Sequence, residues 1–136
     1  MSYIKCFLLG LVLCASMMMA GCSSNSSSSS GFGSGSGYSI NLTATQTNIP
    51  AGGQTTLIAS VKDAQGNPVN DSLRGVSFTS TLGATFLNAV SSITGGVSSI
   101  TYVAPASSNA SVPGVDQVTA SYQGAFAYVS IFVFKP

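Results

Sequence analysis

From Tyr38 onward the chain repeats one pattern: short runs with apolar residues at every second position, broken by clusters of Gly, Pro, Asn and Asp. Successive side chains of an extended strand point to opposite faces, so each run has one apolar and one polar face. A helix would need its apolar positions three or four apart, and no window here offers that with caps. The runs are Ser39 to Ala44, then Thr55 to Val61 with Leu57, Ala59 and Val61 in phase, and Val76 and Phe78 around Ser77. Gly83 to Leu87 and Ala89 to Ile93 supply a short strand or two; Ser98, Ile100 and Tyr102 share a face, as do Val118, Ala120 and Tyr122, and Ala125 to Phe134 closes the series. Turns are read at Ile49 to Gly53, Asp63 to Pro68, Gly95-Gly96 and Gln123-Gly124, with a polar loop from Pro105 to Gly114. About seven strands spaced roughly 8–12 residues apart predict an all-β fold, a β-sandwich with Greek-key connections over residues 38–136. The phases predict a core of Leu57, Val61, Val76, Phe78, Ile100, Tyr102, Val118, Tyr122, Val129 and Ile131.

The N-terminus obeys different rules. Lys5 is followed by an apolar run, Cys6 to Ala20. As a helix it would reach about 22 Å, short of the ~30 Å hydrocarbon core of a bilayer. A basic start, a short apolar stretch and small residues at its exit predict a signal peptide over residues 1–21. The exit itself, Met19-Ala20-Gly21-Cys22, resembles the bacterial lipobox, with Met19 in place of the commoner Leu. That resemblance implies cleavage between Gly21 and Cys22 and lipidation of the Cys22 thiol and the new amine. Ser23 stands where inner-membrane retention signals place Asp, so the resemblance implies the bacterial outer membrane, facing periplasm or cell surface. Cys6 and Cys14 would leave with the signal peptide, and a chain keeping Cys22 alone forms no internal disulfide. Two or more acyl chains give stable membrane attachment where one does not.

Residues 22–37 follow as a tether: thirteen of the fifteen residues after Cys22 are Ser or Gly. Such a tract buries too little apolar surface to offset the entropy of ordering, and a flexible coil is expected.

Four pieces of the remainder resemble the bacterial immunoglobulin-like domains of intimins and invasins. They are Ile49-Pro50-Ala51-Gly52-Gly53, Val61-Lys62-Asp63-Ala64-Gln65-Gly66-Asn67-Pro68-Val69, Gly75-Val76-Ser77-Phe78-Thr79-Ser80, and Val118-Thr119-Ala120-Ser121-Tyr122-Gln123-Gly124. Their order and spacing cover nearly all of residues 38–136. The resemblance implies an immunoglobulin-like Greek-key sandwich serving in adhesion, structural spacing or assembly. One domain stands here where that family has an array.

Composition narrows the chemistry. Beyond the leader, Lys62, Arg74 and Lys135 balance Asp63, Asp71 and Asp116, and the chain has no His. Three scattered cations are no electrostatic footprint for nucleic acid. General acid–base catalysis near neutral pH recruits His or a perturbed carboxylate, and nothing here would activate a serine. A non-catalytic module without cofactor is expected. Asp63 and Asn67 would suggest a calcium loop, but calcium wants six to eight oxygens and several carboxylates. A turn capped by Asx side chains is the reading, with no metal.

The last strand is the unusual one. With Val129, Ile131 and Val133 inward, Phe126, Tyr128, Phe132 and Phe134 fall on the other face, broken only by Ser130. Either other parts of the domain cover that face, or it meets a protein partner or a second copy. A ligand- or glycan-binding role is the alternative from another class, for which Tyr102, Tyr122 and Tyr128 are the available planar side chains; the strand positions of all three favour core or sheet-face roles instead.

Overall fold

The computed structural model describes residues 28–31, 37–87, 92–109 and 111–136. The segment expected to be a signal peptide, the expected cleavage site at Gly21 and the expected lipidation site at Cys22 lie outside the described residues. All regular structure among those described is strand: β1 Ser28–Gly31, β2 Tyr38–Ala44, β3 Asn48–Pro50, β4 Gln54–Asp63, β5 Ser77–Ser80, β6 Thr85–Leu87, β7 Val97–Val103, β8 Gly114–Tyr122 and β9 Ala125–Phe134. They form two sheets, ordered β1-β2-β4-β7-β6 and β3-β9-β8-β5. Every neighbouring pair is antiparallel except β3 and β9. The protein is an all-β sandwich.

The alternation that predicts the strands also builds the interior. Ile40, Leu42, Leu57, Ala59 and Val61 from the first sheet meet Val118, Ala120, Val129, Ile131 and Val133 from the second, all buried. Each inward residue is followed by an outward one, so both sheets keep one wet face. Of the ten predicted core residues nine are buried, and Phe78 is half-buried. It sits on an edge strand, where its ring leans on Phe86 at a centroid distance of 6.1 Å, at the margin of the layers.

The chain crosses between the layers within Thr45–Thr47. The Thr45 and Thr55 hydroxyls lie 3.0 Å apart, the Gln46 N–H donates to Thr55 Oγ1 at 2.9 Å, and the Phe132 N–H donates to the Thr47 carbonyl at 2.7 Å. Read from sequence, Ile49-Pro50 is part of a turn. In the structure Asn48–Pro50 is a three-residue strand parallel to the end of β9, with Ile49 buried beneath it. The β8–β9 hairpin turns through Gln123 and Gly124, at φ 49° and 87°, which puts Tyr122 opposite Ala125. Two positive-φ residues match the twist of the flanking strands and lock the register. A slip of one residue would turn the aromatic row of β9 into the core.

The tract expected to be a flexible coil differs at four residues. Ser28–Gly31 pairs with β2, from Ser28 opposite Thr43 to Gly31 opposite Ile40, and also lies close to β9. The outer edge of β2 presents unpaired backbone groups, and any extended peptide without Pro can satisfy them whatever its side chains.

Candidate functional site: an uncharged aromatic sheet face

The outer face of the second sheet is a grid set by strand register. Along β9, Phe126 stands opposite Ser121, Tyr128 opposite Thr119, Ser130 opposite Gln117 and Phe132 opposite Val115, all on β8. On the far side of β9, Phe132 pairs with Asn48 and Phe134 with Pro50; beyond β8, Thr119 pairs with Thr79 and Ser121 with Ser77. Same-face neighbours along a strand are roughly 7 Å apart and cross-strand neighbours about 5 Å. The face carries no charged side chain at any of these positions.

The aromatic row is open. Phe126, Tyr128 and Phe132 keep 44%, 41% and 43% of their surface, Val115 keeps 58%, and Phe134 is half-buried. A ring left with about two-fifths of its surface rests partly against its neighbours and presents the remainder outward. Four of the residues singled out from sequence therefore share one surface, three of them plainly exposed. Their β8 and β3 neighbours, Val115, Gln117, Thr119 and Asn48, were not singled out, because cross-strand register is not written in local sequence. Tyr102 and Tyr122, by contrast, are buried and belong to the core. β3 pairs with β9 at Phe132–Phe134 and occupies that end of its edge.

The three carboxylates are tied into the fold. The Asp63 Oδ1 accepts the Gln65 and Asn67 N–H groups at 2.9 and 2.8 Å, and Asn67 Nδ2 donates to Oδ2 at 3.2 Å. The Asn67 N–H is the main cause holding the Asp63 carboxyl below the usual range. Asp71 accepts from the Leu73 and Arg74 N–H groups, and its other oxygen accepts the Tyr122 phenol at 2.9 Å. The Arg74 N–H, then that phenol, lower its pKa. No three metal-ligating side chains gather among the described residues.

Asp116 is the surprise. It is fully buried on β8 and accepts five hydrogen bonds: from Ser80 Oγ at 2.6 Å, Thr81 N and Oγ1 at 2.8 and 3.0 Å, Leu82 N at 3.0 Å, and the Tyr102 phenol at 2.7 Å. Burial acts to raise its pKa, but the bonds from Ser80, Tyr102, Leu82 and Thr81 together outweigh it and hold the carboxyl low. Tyr102 belongs to β7 of the first sheet, so this bond crosses between the layers. The signal was available in the sequence: Asp116 is in phase with Val118, Ala120 and Tyr122, and an inward acid requires donors.

Compared with family models and with curated proteins, the chain matches none.

Proposed function

We propose that this protein is a non-catalytic bacterial lipoprotein, anchored in the outer membrane through Cys22, whose immunoglobulin-like domain serves in adhesion, spacing or assembly through the outer face of β9. The observation that carries the reading is the exposure of Phe126, Tyr128 and Phe132 in one row. Larger exposed apolar patches on folded chains mark interaction surfaces, and this row is interrupted only at Ser130. The strand order supports the domain type: in immunoglobulin-like sandwiches the first strand splits between the layers, and the later strands divide as β4-β7-β6 and β9-β8-β5 do here. The lipobox resemblance of residues 19–22 supports the anchor, and the Ser and Asn residues between Cys22 and β1 would set the domain off from the lipid headgroups. Each Asp being engaged by donors supports a role without acid–base chemistry.

Two experiments test this reading. Cys22→Ser should abolish labelling by radioactive palmitate and leave a precursor or a soluble product; equal labelling and membrane retention would refute the anchor. Photo-cross-linkers placed at Phe126 and Phe132 on intact cells should give specific adducts, and a position on the opposite sheet such as Ser99 should give none. Equal adducts from both faces would refute the contact surface.

A further inference from the structure

Resting on the anchor reading, we infer that the pairing of β1 with β2 fixes which end of the sandwich meets the membrane surface: the end that carries the crossing at residues 45–47 and the loop at residues 104–109. Chain direction decides it. β1 runs antiparallel to β2, so its first residue, Ser28, stands opposite Thr43, whereas Tyr38, the first residue of β2, stands opposite Asp63 at the far end of β4. The Ser28 end gathers the crossing, the Gly52 turn and the loop after β7. There the Thr45 N–H donates to the Thr56 carbonyl, the Gly52 N–H to the Pro105 carbonyl and the Ala104 N–H to the Gly53 carbonyl. The Tyr38 end gathers the turn at residues 63–68 and the β8–β9 hairpin, whose Tyr122 ring meets the Tyr38 ring edge-on at a centroid distance of 5.2 Å. β4 runs from one end to the other over about 30 Å.

Chain length supplies the second link. Only residues 23–27 separate Cys22 from β1, and the six peptide steps from Cys22 to Ser28 span at most about 21 Å. A lipid on Cys22 therefore holds the Ser28 end close to the headgroups. Without the β1 pairing the first fixed strand would be β2. Sixteen steps, about 55 Å at full stretch, would then lead to Tyr38, and the opposite end would be the tethered one. Four paired residues thus shorten the tether and reverse the domain upon it.

Charge fits that polarity. Lys62 is paired with Ser39 beside Asp63, and Arg74 donates its N–H to Asp71, which holds the Tyr122 phenol, so these four charged residues lie at the Tyr38 end. At the Ser28 end the Asp116 carboxylate is buried among its donors, and the other charge is Lys135, just past β9. An end without an exposed carboxylate approaches phosphate headgroups without repulsion.

The test uses the mature full chain reconstituted in phosphatidylcholine vesicles, with an acceptor dye on a fraction of the headgroups. A donor dye is placed through Ser107→Cys at the Ser28 end or Gln65→Cys at the Tyr38 end, both exposed positions. Energy transfer from position 107 should exceed that from position 65 about twofold or more, given the ~30 Å between the ends. Ser29→Pro combined with Ser30→Pro should abolish or reverse that excess. The N–H groups of successive strand residues point to opposite sides, so one of the two prolines must remove a donor to β2. Should that variant fold poorly, the comparison of the two ends in the parent decides alone. Amide exchange read residue by residue gives a measurement independent of lipid. Alternate N–H groups within residues 40–43 face β1, and they should exchange slowly in the parent and about tenfold or more faster in the proline variant. Equal transfer from the two ends, an excess from position 65, or an excess untouched by the prolines would overturn the inference, as would rapid exchange of those N–H groups in the parent. The parent without an added Cys separates the anchor from the orientation, because a lipidated Cys22 takes up no maleimide dye. Should its thiol react, the anchor reading fails and the membrane orientation with it, while the exchange rates still report whether β1 is paired.

Discussion

Removing the Asp116 carboxylate tests what holds the two layers together. In Asp116→Ala the N–H groups of Thr81 and Leu82, bonded at 2.8 and 3.0 Å, and the Tyr102 phenol, bonded at 2.7 Å, would lose their acceptor at a buried position. Leaving one buried group unsatisfied costs about 1–3 kcal/mol, and three deprived groups that partly relax or hydrate should cost about 3–5 kcal/mol together. Set against a total stability of about 5–15 kcal/mol for a domain, that is a large share. Asp116→Asn should be milder, about 1–3 kcal/mol: its Oδ1 still accepts the two backbone N–H groups, and its amide can donate to Ser80 and Tyr102 if those hydroxyls turn round. Tyr102→Phe removes the interlayer bond while leaving Asp116 its other donors, and should cost about 1.5–3 kcal/mol. The chain has no Trp, so urea unfolding is best followed by far-ultraviolet circular dichroism.

The pH dependence gives an independent readout. The folded pKa of Asp116 is lowered, so its contribution to stability is fully present above the unfolded value near 3.9 and is lost as pH falls through the depressed folded value. Wild-type stability should therefore drop below about pH 4. Asp116→Asn should flatten that decline without abolishing it, because Asp63 and Asp71 are lowered as well. An Asp116→Ala cost under about 1 kcal/mol, or an acid decline unchanged in Asp116→Asn, would refute the reasoning.

Gly96 has φ +79°, and a Cβ there would lie 2.7 Å from Pro68 Cβ and 3.0 Å from the Val61 carbonyl oxygen. Gly96→Ala should cost about 2–4 kcal/mol in urea unfolding, and a neutral result would mean the turn yields easily. In alkali, burial and then the Asp71 bond push the Tyr122 phenol up to about 12, and burial followed by Asp116 raises Tyr102 further. Stability from these phenols is fully present below about pH 10 and is lost as pH rises through the folded values, so part of the phenolate absorbance of the folded chain should appear well above pH 10 and should shift down to about pH 10 on unfolding in urea. Chelation should leave the melting temperature unchanged, since the oxygens of Asp63 serve its own turn; a fall that calcium reverses would refute this.

The strand phases were legible because burial on one face forces alternation, and β4, β7, β8 and β9 all follow it. What escaped has identifiable physical causes. β3 is too short to show a period, and its residues pair with a strand more than eighty positions away. β1 pairs through its backbone, and Ser and Gly carry no sign of it. The phase of the aromatic row could be read directly, but its exposure could not. That depends on where β3, β5 and the loops come to rest, and local sequence does not specify long-range placement. Asp116 is an intermediate case: its inward phase was plain and calls for donors, but that Ser80, Thr81, Leu82 and Tyr102 supply them is again set by long-range placement.

The sheet edges and the sheet face are treated differently, and that contrast bears on the proposed contact. Edge strands invite pairing with other chains, and folds blunt them by keeping them short or placing Pro on them. In the second sheet the edge strands β3 and β5 have three and four residues, and β3 carries Pro50. The outer face of β9 has no such protection, although Lys or Glu at Tyr128 or Phe132 would satisfy the pleat equally well. General avoidance of association would have modified both features. Short edge strands in the second sheet beside an open aromatic face fit a surface kept for a particular contact, which is the distinction that substitutions at Tyr128 and Phe132, set against substitutions on an edge such as Ser77, would measure.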